Sequence, residues 1–155
     1  GDDGAAVMEI YEVTGDKRQY MDLLLLADES PSMIERYIDR GTLFIASDLG
    51  RAVGECLVTD EGDGVLEIKS IAVAPAYQRH GLGRALIRHV EERYSGEFDV
   101  LQAGTGDSDL TVPFYERCGF ERAHVLPDFF LEHYDHPIYE AGKQLVDMVY
   151  FKKGI

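Results

Sequence analysis

The stretch Ile71-Ala72-Val73-Ala74-Pro75-Ala76-Tyr77-Gln78-Arg79-His80-Gly81-Leu82-Gly83-Arg84-Ala85-Leu86 decides how this chain is read. An apolar, β-branched strand ends at Pro75. A polar turn follows with glycines at positions 81 and 83, and an amphipathic helix starts at once. Strand, Gly-rich turn and helix N-terminus in that order build an anion site, because first-turn N–H groups lack intrahelical acceptors and the helix dipole is positive there. A phosphate or pyrophosphate suits such a cradle, so the segment points to a nucleotide-type cofactor. A dinucleotide fold would require Gly or Ala three residues after Gly83. Leu86 stands there, and the motif lies mid-chain rather than in an opening β-α-β unit.

The surrounding 155 residues suit one domain, 1–155, with a single sizeable core and no repeat or dividing linker. There are 29 acidic against 15 basic residues, a net charge of −14. That balance disfavours a nucleic-acid partner, which needs clustered Lys and Arg. It suits a cationic acceptor, or equally a solubilising acidic surface. Cys56 and Cys118 fit neither a metal spacing nor a disulfide framework, so a reducing cytoplasm is expected. Gly1-Asp2-Asp3-Gly4 does not read as a signal peptide, and the aliphatic run Leu23 to Leu26 is too short to span a bilayer, so no membrane partner is expected.

Periodicity and turn residues outline the elements. Strands are expected at 7–13, 43–47, 53–59, 65–73, 98–102, 120–125 and 145–151. Gly104-Thr105-Gly106 reads as the end of the fifth of these. Helices are expected at 17–27, from Pro31 to Gly41 with Ser30 as N-cap, and at 81–94. A short helix runs from Asp107 or Ser108 to Cys118, limited or kinked by Pro113, with Gly119 at C′. The order β-α-α-β-β-β-α-β-α-β-β is a mixed α/β sheet with helices on both faces.

At this point the chain resembles the GNAT superfamily of N-acetyltransferases, and its later part a bacterial subgroup of it. The cofactor motif of that family is Gln or Arg, two residues, Gly, one residue, Gly or Ala. Here it is Gln78, Gly81 and Gly83, preceded by Ala72-Val73-Ala74-Pro75. A later Tyr and Gly-Phe signature is matched by Tyr115-Glu116-Arg117-Cys118-Gly119-Phe120. Both motifs fall in the expected elements, so the likeness covers nearly the whole chain. It implies a mostly antiparallel sheet with one splayed parallel strand pair. One departure stands out: a position often Asn in the family, seven residues before Tyr115, is Ser108, with Asp107 beside it.

The resemblance implies acetyl-CoA as co-substrate, bound where the strands at 67–73 and 98–102 splay apart. Backbone groups of Ile71, Ala72 and Val73 would meet the pantetheine arm, and Ser108 would lie near it. The pyrophosphate would rest on the turn from Gln78 and Arg79 through His80, Gly81, Leu82 and Gly83 to Arg84. Glu67 is the implied general base, the Ile71 N–H the oxyanion donor and Tyr115 the general acid for the departing thiolate. Strand alternation puts Glu67, Lys69, Ile71 and Val73 on one face. The aromatic and acidic stretch Asp128 to Glu140, opposite Asp28-Glu29-Ser30, is expected to wall an amine acceptor. His133 and His136 lack a third ligand at sensible spacing, so no metal is expected. Two alternatives stay open: a CoA-binding regulatory module without turnover, and an interaction protein that keeps the fold. Oligomeric state is open as well, a homodimer included.

Overall fold

The structure, a computed structural model, describes residues 8–155. The acidic start and Val7, where the first strand was expected to begin, lie outside the described residues. Strand β1 is Met8–Glu12. A 3-10 turn, Lys17–Tyr20, leads into α1, Met21–Ala27, and α2 is Pro31–Glu35. Strands β2 (Thr42–Asp48), β3 (Arg51–Asp60) and β4 (Val65–Val73) form a meander. Helix α3 is Leu82–Tyr94, β5 is Val100–Gly106, α4 is Val112–Arg117 and β6 is Glu121–Leu126. Helix α5 (Phe129–Glu132), the small hairpin β7 (Tyr139–Glu140) and β8 (Lys143–Gln144), and β9 (Met148–Gly154) complete the chain.

Seven strands form one sheet in the order β1-β2-β3-β4-β5-β9-β6. Among the described residues only β4 and β5 of these strands run parallel; every other pair in the sheet is antiparallel. Leu82, Leu86, Ile87 and Val90 of α3, with Tyr115 of α4, cover Phe44, Cys56, Leu66, Ile68, Leu101 and Phe151 on one face. On the other, Leu23 and Leu24 of α1 with Ile34 and Ile38 cover Leu43, Ile45 and Leu57. Each such buried side chain contributes roughly 1.5–3 kcal/mol. The expected mixed sheet with helices on both faces is the observed fold.

Several local expectations are corrected. The helix expected at 17–27 is split, because Asp16 accepts the Arg18 N–H at 2.9 Å and winds a tighter first turn. Regular α-helix in α2 ends at Glu35, and the chain turns on to Gly41, whose N–H reaches the Tyr37 carbonyl at 3.0 Å. Of the two readings of Pro113, limiting rather than kinking holds: α4 starts at Val112 instead of after Asp107 or Ser108, is six residues long, and has Pro113 in its first turn, where no N–H is needed. Gly104-Thr105-Gly106 does not cut the strand off after Gln102; it forms the last three residues of β5. A Cβ at Gly104 would lie 2.7 Å from Met148 Sδ, and one at Gly106 2.6 Å from Leu145 Cδ1. Those glycines let side chains from the β9 side close over the strand, and the ladder continues through Gly106↔Met148. The final strand runs 148–154, three residues later than expected at each end.

Candidate active site

The parallel ladder is short. Val65↔Val100, Leu66↔Leu101, Glu67↔Gln102 and Ile68↔Ala103 pair, and there it stops, although β4 runs on to Val73 and β5 to Gly106. A cavity of about 530 Å³ opens in the gap. Ile68, Ser70 and Ile71 line it from β4, Gly104 to Gly106 from β5, and Tyr115 from α4. A neighbouring cavity of about 280 Å³ shares Asp28, Lys69, Gly104, Tyr134 and Met148 with it and extends to Glu67, Tyr37 and Tyr150.

The register of β4 changes at the same place. Val58 pairs with Ile68 and Leu57 with Ser70, so Lys69 is an extra residue with no partner on β3. Such a bulge breaks period-2 alternation. Leu66 and Ile68 face α3 before it, and Ile71 and Val73 face α3 after it. Glu67 and Ser70 therefore face the α1 side. This overturns the shared face read for Glu67, Lys69, Ile71 and Val73: Glu67 and Ile71 approach the gap from opposite faces of the sheet.

Glu67 is buried, 5% exposed. Gln102 Nε2 donates to its Oε1 at 2.6 Å, Lys69 Nζ lies 2.8 Å from Oε2, and the Tyr150 hydroxyl donates to Oε2 at 3.4 Å. Tyr115 packs edge-on to Phe114 and Phe120 and stacks on Phe151 at 5.7 Å. Burial holds its hydroxyl well above the ordinary tyrosine range. Ser108 is buried too, but its Oγ–H donates to Glu140 Oε1 at 2.6 Å and its oxygen accepts the Leu110 and Thr111 N–H groups. That hydroxyl organises the turn into α4 and does not line the large cavity.

The turn before α3 has the form expected of an anion cradle. Gln78 Nε2 donates to the Val73 carbonyl at 3.0 Å, and the Tyr77 hydroxyl to Asp48 at 2.8 Å. Arg79 and Gly81 take φ of 68° and 79°. No acceptor among the described residues takes the N–H groups of Gly81, Leu82, Gly83 or Arg84. Gly81 is required by its φ, whereas a Cβ on Gly83 would come within 3.2 Å of the Phe114 ring. Arg79, His80 and Arg84 are exposed around this turn. Beyond it, Gly81, Arg84, Arg88 and His89 line a more open depression of about 470 Å³.

The two expected acceptor walls meet. Tyr134 donates to Asp28 Oδ1 at 3.0 Å across 106 residues of chain, and His136 Nε2 lies 2.9 Å from Glu29. Burial raises the Asp28 carboxyl above its ordinary value, opposed by the Ser30 N–H and the Tyr134 hydroxyl. Asp135 and then Glu29 raise His136. Among the described residues, no three of His, Cys, Asp and Glu gather as a metal site, and no helix is long and apolar enough to cross a membrane. The pairing of Glu67 with Lys69 was open to sequence reading as the alternative to a base; Ser70, Tyr150 and the hydrogen bond of Tyr134 to Asp28 were missed, because each enters the site through a strand register or loop contact that no local pattern announces.

Comparison with known proteins follows the same lines. The family model for an acetyltransferase (GNAT) domain matches residues 39–122. An uncharacterized N-acetyltransferase of Bacillus subtilis, YvbK, is 35% identical over 144 residues, 92% of each chain. A GNAT acetyltransferase from Elizabethkingia anophelis, solved with acetyl-CoA bound, superposes with a TM-score of 0.91 at 30% identity, over 96% of this chain and 99% of that one. A Bacillus subtilis acetyltransferase in complex with CoA superposes with a TM-score of 0.87 at 31% identity, over 96% and 99%. The splayed β4–β5 pair belongs to a known architecture: the chain belongs to the GNAT acetyltransferases and is an N-acetyltransferase enzyme.

Proposed function

We propose that this protein moves the acetyl group of acetyl-CoA onto a primary amine by direct attack, with no covalent enzyme intermediate. The observation that carries this reading is the gap beyond Ile68↔Ala103, where Ile71, Tyr115 and the aromatic-acidic acceptor wall border one cavity. The pantetheine arm would lie in the gap along Ile71, Ala72 and Val73, supplying an amide-bearing strand where β5 has turned away. Its pyrophosphate would sit on the Gly81 to Arg84 N–H groups, with Arg79, Arg84 and Arg88 nearby. Likeness to solved relatives that hold acetyl-CoA or CoA supports this placement.

An alkyl ammonium with pKa ~10.4 is protonated at pH 7, and freeing the amine costs ~4.6 kcal/mol. Glu67 takes that proton, its carboxylate held in place by Gln102, Lys69 and Tyr150. The Ile71 N–H stabilises the oxyanion of the tetrahedral intermediate. Tyr115 gives its proton to the departing thiolate; burial keeps the phenol protonated until then. The acceptor is a small primary amine, a polyamine, an aminoglycoside or a protein amine. Tyr134, Phe130 and Asp28 suit an ammonium group. Two buried free cysteines fit a reducing, cytoplasmic setting.

An amine panel with acetyl-CoA, read by free thiol, tests the reaction. With the best acceptor, Tyr115→Phe is expected to lower kcat about 100-fold while acetyl-CoA affinity changes less than twofold. Unchanged turnover would remove Tyr115 from its role. Absence of thiol release with every amine, alongside a thermal shift on binding acetyl-CoA, would favour a CoA-binding module instead.

A further inference from the structure

A buried polar cluster beside the site has no part in this scheme. Glu55 of β3 is fully buried. Its Oε2 accepts the Ser70 hydroxyl at 2.5 Å, and its Oε1 has no partner among the described residues. The Tyr37 hydroxyl, at the wall of the smaller cavity, is likewise buried and unpartnered among the described residues. A carboxyl group with an unsatisfied oxygen is far costlier to bury at such a place than an aliphatic side chain. Its cross-strand neighbour on β2, Ile45, is aliphatic. The polar choice therefore calls for a use. Ser70 supplies the connection, because the Lys69 bulge turns it toward the α1 side and it lines the large cavity next to Ile71. With its own proton committed to Glu55, its oxygen presents lone pairs to a donor in that cavity.

We propose that Ser70 and Glu55 form a proton relay for the acceptor nitrogen. The idea rests on the amine-transfer reading above and completes its proton count. Two N–H bonds of the ammonium must break to make an amide. The first proton goes to Glu67. As the C–N bond forms, the second passes to Ser70 Oγ while the Ser70 proton moves to Glu55 Oε2. Tyr115 loses its proton to the thiolate and regains one of these two, and the other leaves to solvent. Glu55 never touches the amine; it acts through Ser70.

The relay works only when Glu55 is ionised. Burial pushes its carboxyl up to about 8, opposed by the Ser70 hydrogen bond. The titratable groups that feel its charge are Tyr37 from the turn after α2, on its own side of the sheet, and Cys56 and Tyr115 on the α3 side, all neutral at pH 7. No cation among the described residues offsets its burial.

The test is the ratio of wild-type to variant kcat across pH, in which the titration of the amine itself cancels. For Glu55→Gln, whose amide keeps the Ser70 hydrogen bond, the ratio is expected to rise from near one at pH 6.5 to about tenfold at pH 9. Ser70→Ala, which leaves Glu55 in place but cuts the connection, is expected to give the same rising ratio. Thermal shift with acetyl-CoA confirms that each variant is folded, and either folded variant decides the matter alone. A ratio flat with pH, whatever its size, assigns the pair a structural role only and overturns the relay. A wild type that acetylates no amine overturns the reaction itself and the relay with it, an outcome distinct from a flat ratio in an active enzyme.

Discussion

At the scale of the residue, two glycines of the same motif do different work. Gly81 sits at φ 79° with open space where a Cβ would point, so its need for glycine is conformational alone. Gly81→Ala is expected to destabilise the protein by about 1 kcal/mol and to raise the KM for acetyl-CoA severalfold, since the strained turn presents the N–H groups proposed to hold pyrophosphate. Thermal melts and initial rates check this; an unchanged melting temperature would mean that the turn relaxes. Gly83 instead lies against the Phe114 ring, which packs on Tyr115. Its role is to let α3 approach α4, a role its place in the motif does not reveal.

At the scale of the element, the 128–144 excursion shows what local reading loses. Its aromatic and acidic character is plain from composition. Its shape is not, because the hairpin of β7 and β8 turns on Ala141 and Gly142, at φ 52° and 76°. A two-residue turn of that kind is signalled by Asn-Gly or Asp-Gly, and alanine hides it. The excursion is tied to the loop after α1 by Tyr134 and Asp28. Tyr134→Phe removes that hydroxyl and leaves the ring stacked on Phe130. The KM for the amine is expected to rise about tenfold while the KM for acetyl-CoA stays within twofold, matching the loss of one hydrogen bond to a carboxylate. Equal rises in both constants would show that the contact shapes the cleft as a whole rather than its acceptor half.

At the scale of the molecule, the buried Glu55 couples folding to pH. Its carboxyl titrates near 4.5 when unfolded and about 8 when folded. The folded group is neutral below about 8, while the unfolded one ionises above 4.5. The stability it contributes is therefore fully present at low pH and is lost as pH rises through that window. From pH 5 to 8.5 the loss is about 4 kcal/mol. Urea unfolding of the wild type and Glu55→Gln at both pH values isolates this group from other titrations. The wild type is expected to weaken with pH relative to the variant, and a constant difference between the two would contradict the buried-acid assignment.

The sequence by itself determined the segment proposed to hold the donor. The strand, Gly-rich turn and helix from Ile71 to Leu86 are contiguous, and the forces that shape them — dihedral preference, capping and amphipathic period — act within a few residues. The mixed α/β order and the family motifs at Gln78 to Gly83 and Tyr115 to Phe120 were legible for the same reason. Tertiary structure decided the region proposed to hold the acceptor. One unpaired residue, Lys69, resets the alternation of β4, sending Glu67 and Ser70 to one face and Ile71 to the other. Whether a given β4 residue has a partner depends on the register with β3, which no pattern within β4 encodes. The character of Glu55 is likewise set by everything that excludes water from it, and desolvation is a property of the packed molecule rather than of a stretch of chain.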